Sequence, residues 1–355
     1  MGRQGVMKGV RYSAILAGLA ILIAAGCSPV IVGHGPDAAE PKLTPTHIVA
    51  ADGAQLPLRI WSAHGTLKAV ILGLHGFNDY SKSLEEPAKV WVRAGVTVYA
   101  YDQRGFGAAP GWGFWPGTDA LTQDLATATR LIRTRHPSVP LYVVGESMGA
   151  AVILSAIASP TPPNADGYIL SAPAVWARDT MPIYQRVALW FGAHTTPWLR
   201  LTGRGLNIRA SDNDDMLRQL GRDSLVIKGA RVDALYGLTN LMDAAFAAAP
   251  QIHAPTLILY GAGEQLIPET VRTAFLALLP RDGPWRYGEY PAGFHMLMRD
   301  LNAEAVLTDI SAWIKNTNAP LPSGADKAKG AQHWAQGPCP TQSEVTMARV
   351  MASAC

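Results

Sequence analysis

Five short apolar runs set the terms on which this 355-residue chain can fold. They are AVILGLHGF (69–77), VTVYAYDQRG (96–105), PLYVVGES (140–147), GYILSAP (167–173) and PTLILYGAG (255–263). Each is close to continuously apolar over strand length, the pattern of a strand covered on both faces. Longer stretches with helical spacing separate them. DALTQDLATATRLIRTRH puts Leu121, Leu125, Ala128 and Ile132 on one stripe, AEAVLTDISAWIK does so with Val306, Ile310 and Trp313, and SLEEPAKVWVRAG stops at Gly95. Strand and helix in alternation predict an α/β fold: a mostly parallel central sheet with helices on both faces. LPLRIWSA alternates instead and reads as an antiparallel edge strand.

The length fits one large domain carrying an insertion. Residues 46–173 and 251–316 supply the two parts of the core. Residues 174–250 break the rhythm: they are helical in pattern, rich in Trp, Leu and Met, and read as a helical cap between two sheet strands. There MPIYQRVALWFGAHTTPWLRL carries Met181, Ile183, Tyr184, Leu189, Trp190, Phe191, Trp198 and Leu199. Such a payload either covers an acyl chain, touches a membrane, or forms the cap's own core. Residues 28–45, with Gly33, Gly35, Pro36, Pro41 and Pro45, read as a tether, and 317–355 as a peripheral tail.

Arg3, Lys8 and Arg11 precede the apolar YSAILAGLAILIAAG, which ends at Cys27. A basic region, an apolar region and small residues at its end make residues 1–26 a secretory signal, the alternative being an uncleaved membrane anchor. Either places the domain outside the cytoplasm. Ala24-Ala25-Gly26-Cys27 resembles a bacterial lipobox. That implies a lipidated Cys27 at the new N-terminus of a tether over 27–45, and a membrane-anchored protein in the bacterial cell envelope, facing the periplasm or exterior. Ser28, where no Asp signals inner-membrane retention, points by the same resemblance to the outer membrane. Two cysteines remain, Cys339 and Cys355, as a disulfide or as two free thiols; closing that loop contributes about 3 kcal/mol in the chain-entropy model. The leader holds three basic and no acidic residues of a chain with 30 Lys and Arg against 27 Asp and Glu. The rest is therefore neutral and carries no footprint for nucleic acid.

The chemistry centres on Gly145-Glu146-Ser147-Met148-Gly149, a G-x-S-x-G between the strand LYVVG and the helical AAVILSAIA. In that context it is a nucleophile elbow, whose turn needs glycines at its flanks and lifts the Ser147 hydroxyl above the sheet edge at a helix N-terminus. A serine needs a base. In this architecture serine, acid and histidine follow in chain order, and His295 in YPAGFHMLMRD falls after the last strand, WRYGEY, at the carboxyl edge. His253 precedes a strand, at the opposite edge, and His333 sits in the tail. Glu264, just past TLILYG, is placed to hold the imidazole, with Asp282 and Asp300 as rivals. The oxyanion hole would use the amides of Met148 and Phe77, with Gly76 letting its loop turn and His75 bracing it. YDQRGFG and APGWGFWPG beside it form an aromatic wall or pack against the cap. No metal or cofactor motif emerges.

LHGFNDYS, AYDQRGFG, GESMGA, LYGAGEQLIP and GFHMLMRD, in that order over roughly 46–316, resemble the serine α/β-hydrolase superfamily, and within it the monoacylglycerol lipase and lysophospholipase-like branch. The resemblance implies Ser147 as nucleophile, Glu264 as acid, His295 as base, an oxyanion hole from Phe77 and Met148, and a cap over an acyl pocket. The family usually has aspartate where this chain has Glu264. The expected function is hydrolysis of a carboxylic ester: a monoacylglycerol, lysophospholipid or similar acyl ester. A peptidase or acyltransferase on the same fold, or a non-catalytic surface scaffold, are the alternatives; a peptidase for free N-termini would want a carboxylate cluster in the cap, and Asp212 to Asp215, which could be mistaken for one, reads as a solvated loop.

Overall fold

A computed structural model describes residues 28–203, 205 and 207–327. Cys27, Cys339 and Cys355 lie outside the described residues. In chain order the strands are β1 (Lys42–Leu43), β2 (His47–Val49), β3 (Gln55–Trp61), β4 (Ala69–Leu74), β5 (Val96–Tyr101), β6 (Leu141–Glu146), β7 (Gly167–Ser171), β8 (Arg200–Leu201), β9 (Ala230–Arg231), β10 (Thr256–Gly261) and β11 (Trp285–Tyr290). The helices are α1 (Glu85–Arg93), α2 (Thr118–Arg135), α3 (Met148–Ile157), α4 (Ile183–Thr195), α5 (Asp214–Arg222), α6 (Val232–Ala247), α7 (Glu269–Ala277) and α8 (Ala303–Lys315).

One sheet of order β1-β2-β3-β5-β4-β6-β7-β10-β11 forms the spine. From β5 to β11 every pairing is parallel, while β1, β2 and β3 run antiparallel to their neighbours. The apolar runs are continuous because both faces are covered. Val70, Leu72 and Leu74 of β4 join the core beneath α2, α3, α6 and α7, whereas Ala69 and Ile71 join the core beneath α1 and α8. Each Val, Leu or Ile side chain so buried is worth about 1.5–3 kcal/mol. The predicted helical stripes are buried at all seven named positions.

Three segments differ from their reading in sequence. β3 is antiparallel but not an edge, since β2 and β1 extend the sheet beyond it. Residues 28–45 are not a free tether. Ile31 bridges to Trp115, the Val32 amide donates to the Trp115 carbonyl at 2.9 Å, and β1 lies within this segment. His34 sits 3.1 Å from Asp124 Oδ1, on a buried cluster in which Arg104 bonds both Asp124 and Asp52 at 2.6 Å. Glycine and proline hid this packing, because its contacts are made largely by backbone and by charges far apart in sequence. The tail, too, packs as far as it is described. Leu321 and Ala325 are buried near β11 and α8, and the Ser323 amide donates to Asp309 at 2.9 Å.

The insertion after β7 contains α4, α5, α6 and the two-residue ribbon β8–β9. In α4 only Ala193 is buried. Ile183, Tyr184, Val187, Trp190, Phe191, Trp198 and Leu199 are each about half exposed or more, so this payload is not the insertion's own core.

Candidate active site

β6 ends at Glu146, α3 begins at Met148, and Ser147 alone makes the turn with φ 54° and ψ −111°. A non-glycine residue there stores about 1–3 kcal/mol of strain, so the surroundings must hold it. They do so through the backbone: the Ser147 amide donates to the Ser171 carbonyl at 2.9 Å, and the Ser147 carbonyl accepts from Ala174 at 3.1 Å. Both flanking glycines are forced by close approach. A Cβ at Gly145 would overlap the backbone of Gly149 and Ala150, and one at Gly149 would overlap the Leu74 carbonyl. The half-buried Ser147 thus stands at the N-terminus of α3, next to the end of β4.

The loop after β4 is braced by His75. Its Nε2 accepts the Gln103 amide at 3.0 Å, so Nδ1 carries the proton and donates to the Gly76 carbonyl at 2.8 Å. Burial pushes the His75 pKa down, in keeping with a neutral ring. Gly76 lies against the elbow, where an added Cβ would sit 3.6 Å from Ser147 Cβ. Two residues further on, Asn78 takes the left-handed conformation, with φ 66°. Among the described residues neither the Phe77 nor the Met148 amide has a hydrogen-bond partner, so both are free to donate to an incoming oxyanion.

Acid and base meet across two neighbouring loops. Glu264 follows β10, His295 follows β11, and their side chains are joined at 2.6 Å between Oε2 and Nδ1. The loops can approach because Gly261 and Gly293 lie backbone to backbone, where a Cβ on Gly261 would overlap the Gly293 backbone. Glu264 Oε1 accepts the amides of Leu266 and Ile267 at 2.6 and 3.1 Å. Burial works against its charge, but the His295 hydrogen bond and these amides hold its pKa below the ordinary value. Burial likewise disfavours a charged His295, yet the bond to Glu264 and the charges of Glu264 and Glu146 raise its pKa. With Nδ1 donating to Glu264, Nε2 is the basic nitrogen.

The rivals are occupied elsewhere. Asp300 accepts the Phe294 amide at 2.7 Å and the Ser211 hydroxyl at 2.6 Å, so it shapes the histidine loop without touching the ring. Asp282 and His253 are exposed; His333 lies outside the described residues. Trp115, fully buried, packs on α6 at Gly237 and beside Phe77, and Phe106 sets its edge on both Phe77 and His75. The glycine-rich aromatic segment therefore supports the oxyanion loop and packs against the insertion. Among the described residues no group of three or more His, Cys, Asp or Glu is arranged to hold a metal ion.

Sequence reading missed Arg299. Its Nη2 donates to Glu146 Oε1 at 2.6 Å, and its Nη1 lies 2.8 Å from Asp79 Oδ2 in an ion pair angled away from a hydrogen bond. No motif announces a residue whose partners are 153 and 220 positions away.

A parallel sheet with an antiparallel lead-in, a serine elbow at its centre and an acid–histidine pair at its carboxyl edge define the α/β-hydrolase fold. Within it the chain belongs to the Hydrolase_4 family, described as serine aminopeptidase, S33, whose model matches residues 65–302. It is 26% identical to the monoglyceride lipase of Rattus norvegicus over 299 residues, covering 79% of this chain and 96% of that protein. It is 24% identical over 278 residues to the monoacylglycerol lipase of Mycolicibacterium smegmatis, covering 74% and 93%. Among solved structures, a soluble variant of monoglyceride lipase from Saccharomyces cerevisiae in complex with a substrate analog superposes with a TM-score of 0.61 at 18% identity, over 82% of this chain and 99% of that one.

Proposed function

We propose that this protein is a serine ester hydrolase acting on monoacylglycerol or a similar acyl ester through an acyl-enzyme. The observation that carries the reading is the convergence at one sheet edge of a strained Ser147, a Glu264–His295 pair and two unpaired amides. Ser147 Oγ attacks the ester carbonyl while His295 Nε2 takes its proton. The amides of Phe77 and Met148 receive the developing oxyanion. His295 then protonates the departing alcohol. Water, deprotonated by the same nitrogen, attacks the acyl-enzyme, releasing the fatty acid and restoring Ser147.

The family's description invites a peptidase reading, but the acidic residues it would need are engaged. Asp212 accepts the Leu301 amide, Asn213 caps α5, and Asp214 and Asp215 pair at the surface with Arg209 and Arg218. The curated relatives named as monoglyceride lipases support an acyl ester instead. The lipobox-like leader supports a lipid on Cys27 and a place in the bacterial cell envelope. The exposed apolar side chains of α4 suit an acyl substrate delivered from a membrane. The test is hydrolysis of p-nitrophenyl esters from acetate to palmitate, and of monoacylglycerols, by protein beginning at Ser28. Turnover that disappears in Ser147→Ala supports the reading; turnover that persists there, or none by folded wild type, rejects it.

A further inference from the structure

Arg299 lies four residues beyond His295, at the end of the 3₁₀ turn Leu297–Arg299, with its side chain 6% exposed. Glu146, its hydrogen-bond partner, immediately precedes Ser147. Asp79, its ion-pair partner, lies two residues past Phe77 and is fixed in turn by accepting the Tyr80 amide at 2.8 Å. One guanidinium therefore joins the loops of the base, the nucleophile and the oxyanion amides. The Arg299 carbonyl also accepts from Asn213 at 3.0 Å, and the Met296 amide donates to the Ala210 carbonyl at 2.9 Å, which anchors the base loop from the insertion side. Burying one cation between two carboxylates is a costly way to fill space. Apolar groups of similar volume are commonly as stabilising, so the cluster calls for a reason other than stability.

We propose that Arg299 is a positioning residue, whose bridge between Glu146 and Asp79 holds His295 in register with Ser147 and the oxyanion amides. This rests on the reading of Ser147 and His295 given above. No bond to substrate is needed for the effect, because a displacement of the base by about 1 Å costs about 10²-fold in rate. The charges leave a second mark. Glu264 from the β10 loop, Glu146 from the elbow and Arg299 from the base loop all act on His295, with Asp79 and Asp300 alongside. Removing the cation favours a protonated base, and removing Glu146 disfavours it.

The full chain, with Arg299→Gln, Arg299→Lys, Glu146→Gln and Ser147→Ala, is assayed for kcat, KM, the pH profile of kcat/KM, the rate of fluorophosphonate labelling and thermal unfolding. Arg299→Gln is expected to lower kcat and the labelling rate about 10²-fold while KM moves by no more than about threefold. Arg299→Lys, which keeps the charge but not the planar fork, recovers about tenfold of that loss. The acid limb shifts to higher pH in Arg299→Gln and to lower pH in Glu146→Gln, a pair of opposite shifts that mere loosening would not give. Folded Arg299→Gln with wild-type kcat and labelling rate overturns the proposal. Should that variant not fold, Glu146→Gln with wild-type kcat and an unmoved acid limb does the same. Wild-type protein that no fluorophosphonate labels at Ser147 overturns the underlying reading instead.

Discussion

Glu264 divides its carboxylate between two loops: Oε2 meets His295 Nδ1 at 2.6 Å, and Oε1 accepts the amides of Leu266 and Ile267. The extra methylene relative to aspartate is what lets one side chain span both. Glu264→Gln is expected to lower kcat by about 10³–10⁴-fold, because the amide offers the imidazole the wrong hydrogen-bond pattern. Glu264→Asp, too short to keep both contacts, falls between that variant and wild type. Steady-state kinetics of the two against one soluble ester check the order.

The same pair separates the pH of best activity from that of best stability. His295 is raised above its ordinary 6.5, and the reaction needs it neutral, so kcat/KM should climb with pH through a midpoint above 6.5. The folded state favours protonated His295, so that stabilisation is complete below 6.5 and is lost as pH rises through the raised value. Glu264 is depressed, so its contribution is complete above the ordinary 4.5 and is lost as pH falls through the lowered value. Thermal unfolding across pH should therefore show greatest stability from this pair between 4.5 and 6.5, on the acid side of the activity limb. In Glu264→Gln burial is left to disfavour protonated His295, so the stability maximum between 4.5 and 6.5 should disappear.

Around the elbow, methyl groups added at Gly149 and at Gly76 should have opposite consequences. Gly149→Ala drives a Cβ into the Leu74 carbonyl and is expected to cost about 3 kcal/mol, read as a lower denaturation midpoint. At Gly76 the nearest atoms are 3.6 Å away, so Gly76→Ala should fold with near-native stability and lose activity, its methyl standing against Ser147.

The exposed face of α4 makes a separable prediction. Ile183→Ser, Trp190→Ser and Phe191→Ser combined should leave p-nitrophenyl acetate hydrolysis unchanged, since none of the three is buried. Turnover of monoacylglycerol in vesicles should drop by at least about tenfold, each apolar side chain being worth about 1.5–3 kcal/mol when removed from water. Equal losses on both substrates would instead place these residues at the acyl site.

Arg104 compensates two buried carboxylates, and its hydrogen bond is the chief reason Asp52 stays ionised far below the usual carboxylate range. Arg104→Met should cost about 3–5 kcal/mol and release residues 30–35, detectable as new proteolytic cleavage there.

What could be read in the sequence was what rests on local pattern. The five apolar runs are strands because burial on both faces leaves a continuous signature, and Ser147, Glu264 and His295 stand at strand ends where chain order fixes their sequence. The Arg299–Glu146–Asp79 cluster left no such trace. Asp79 and Arg299 look like ordinary charged loop residues, Glu146 fills a variable position of the elbow motif, and only the sheet order brings them together. The segment before β1 was misread for the opposite reason: its glycines and prolines speak for freedom, while the contacts that hold it, Ile31 to Trp115 and His34 to Asp124, depend on residues about 80–90 positions later.

That pinned segment changes how far the enzyme reaches. The Val30 amide already contacts Asp233, at 3.4 Å, so only Ser28 and Pro29 separate it from Cys27. Three residue steps, fully extended, span about 11 Å. A lipid on Cys27 would hold the domain flush with the leaflet that bears it, with no leash to swing on. So held, the enzyme would meet its substrate by sliding in two dimensions, and its rate would follow the mole fraction of acyl ester in that leaflet, not the amount dissolved around it.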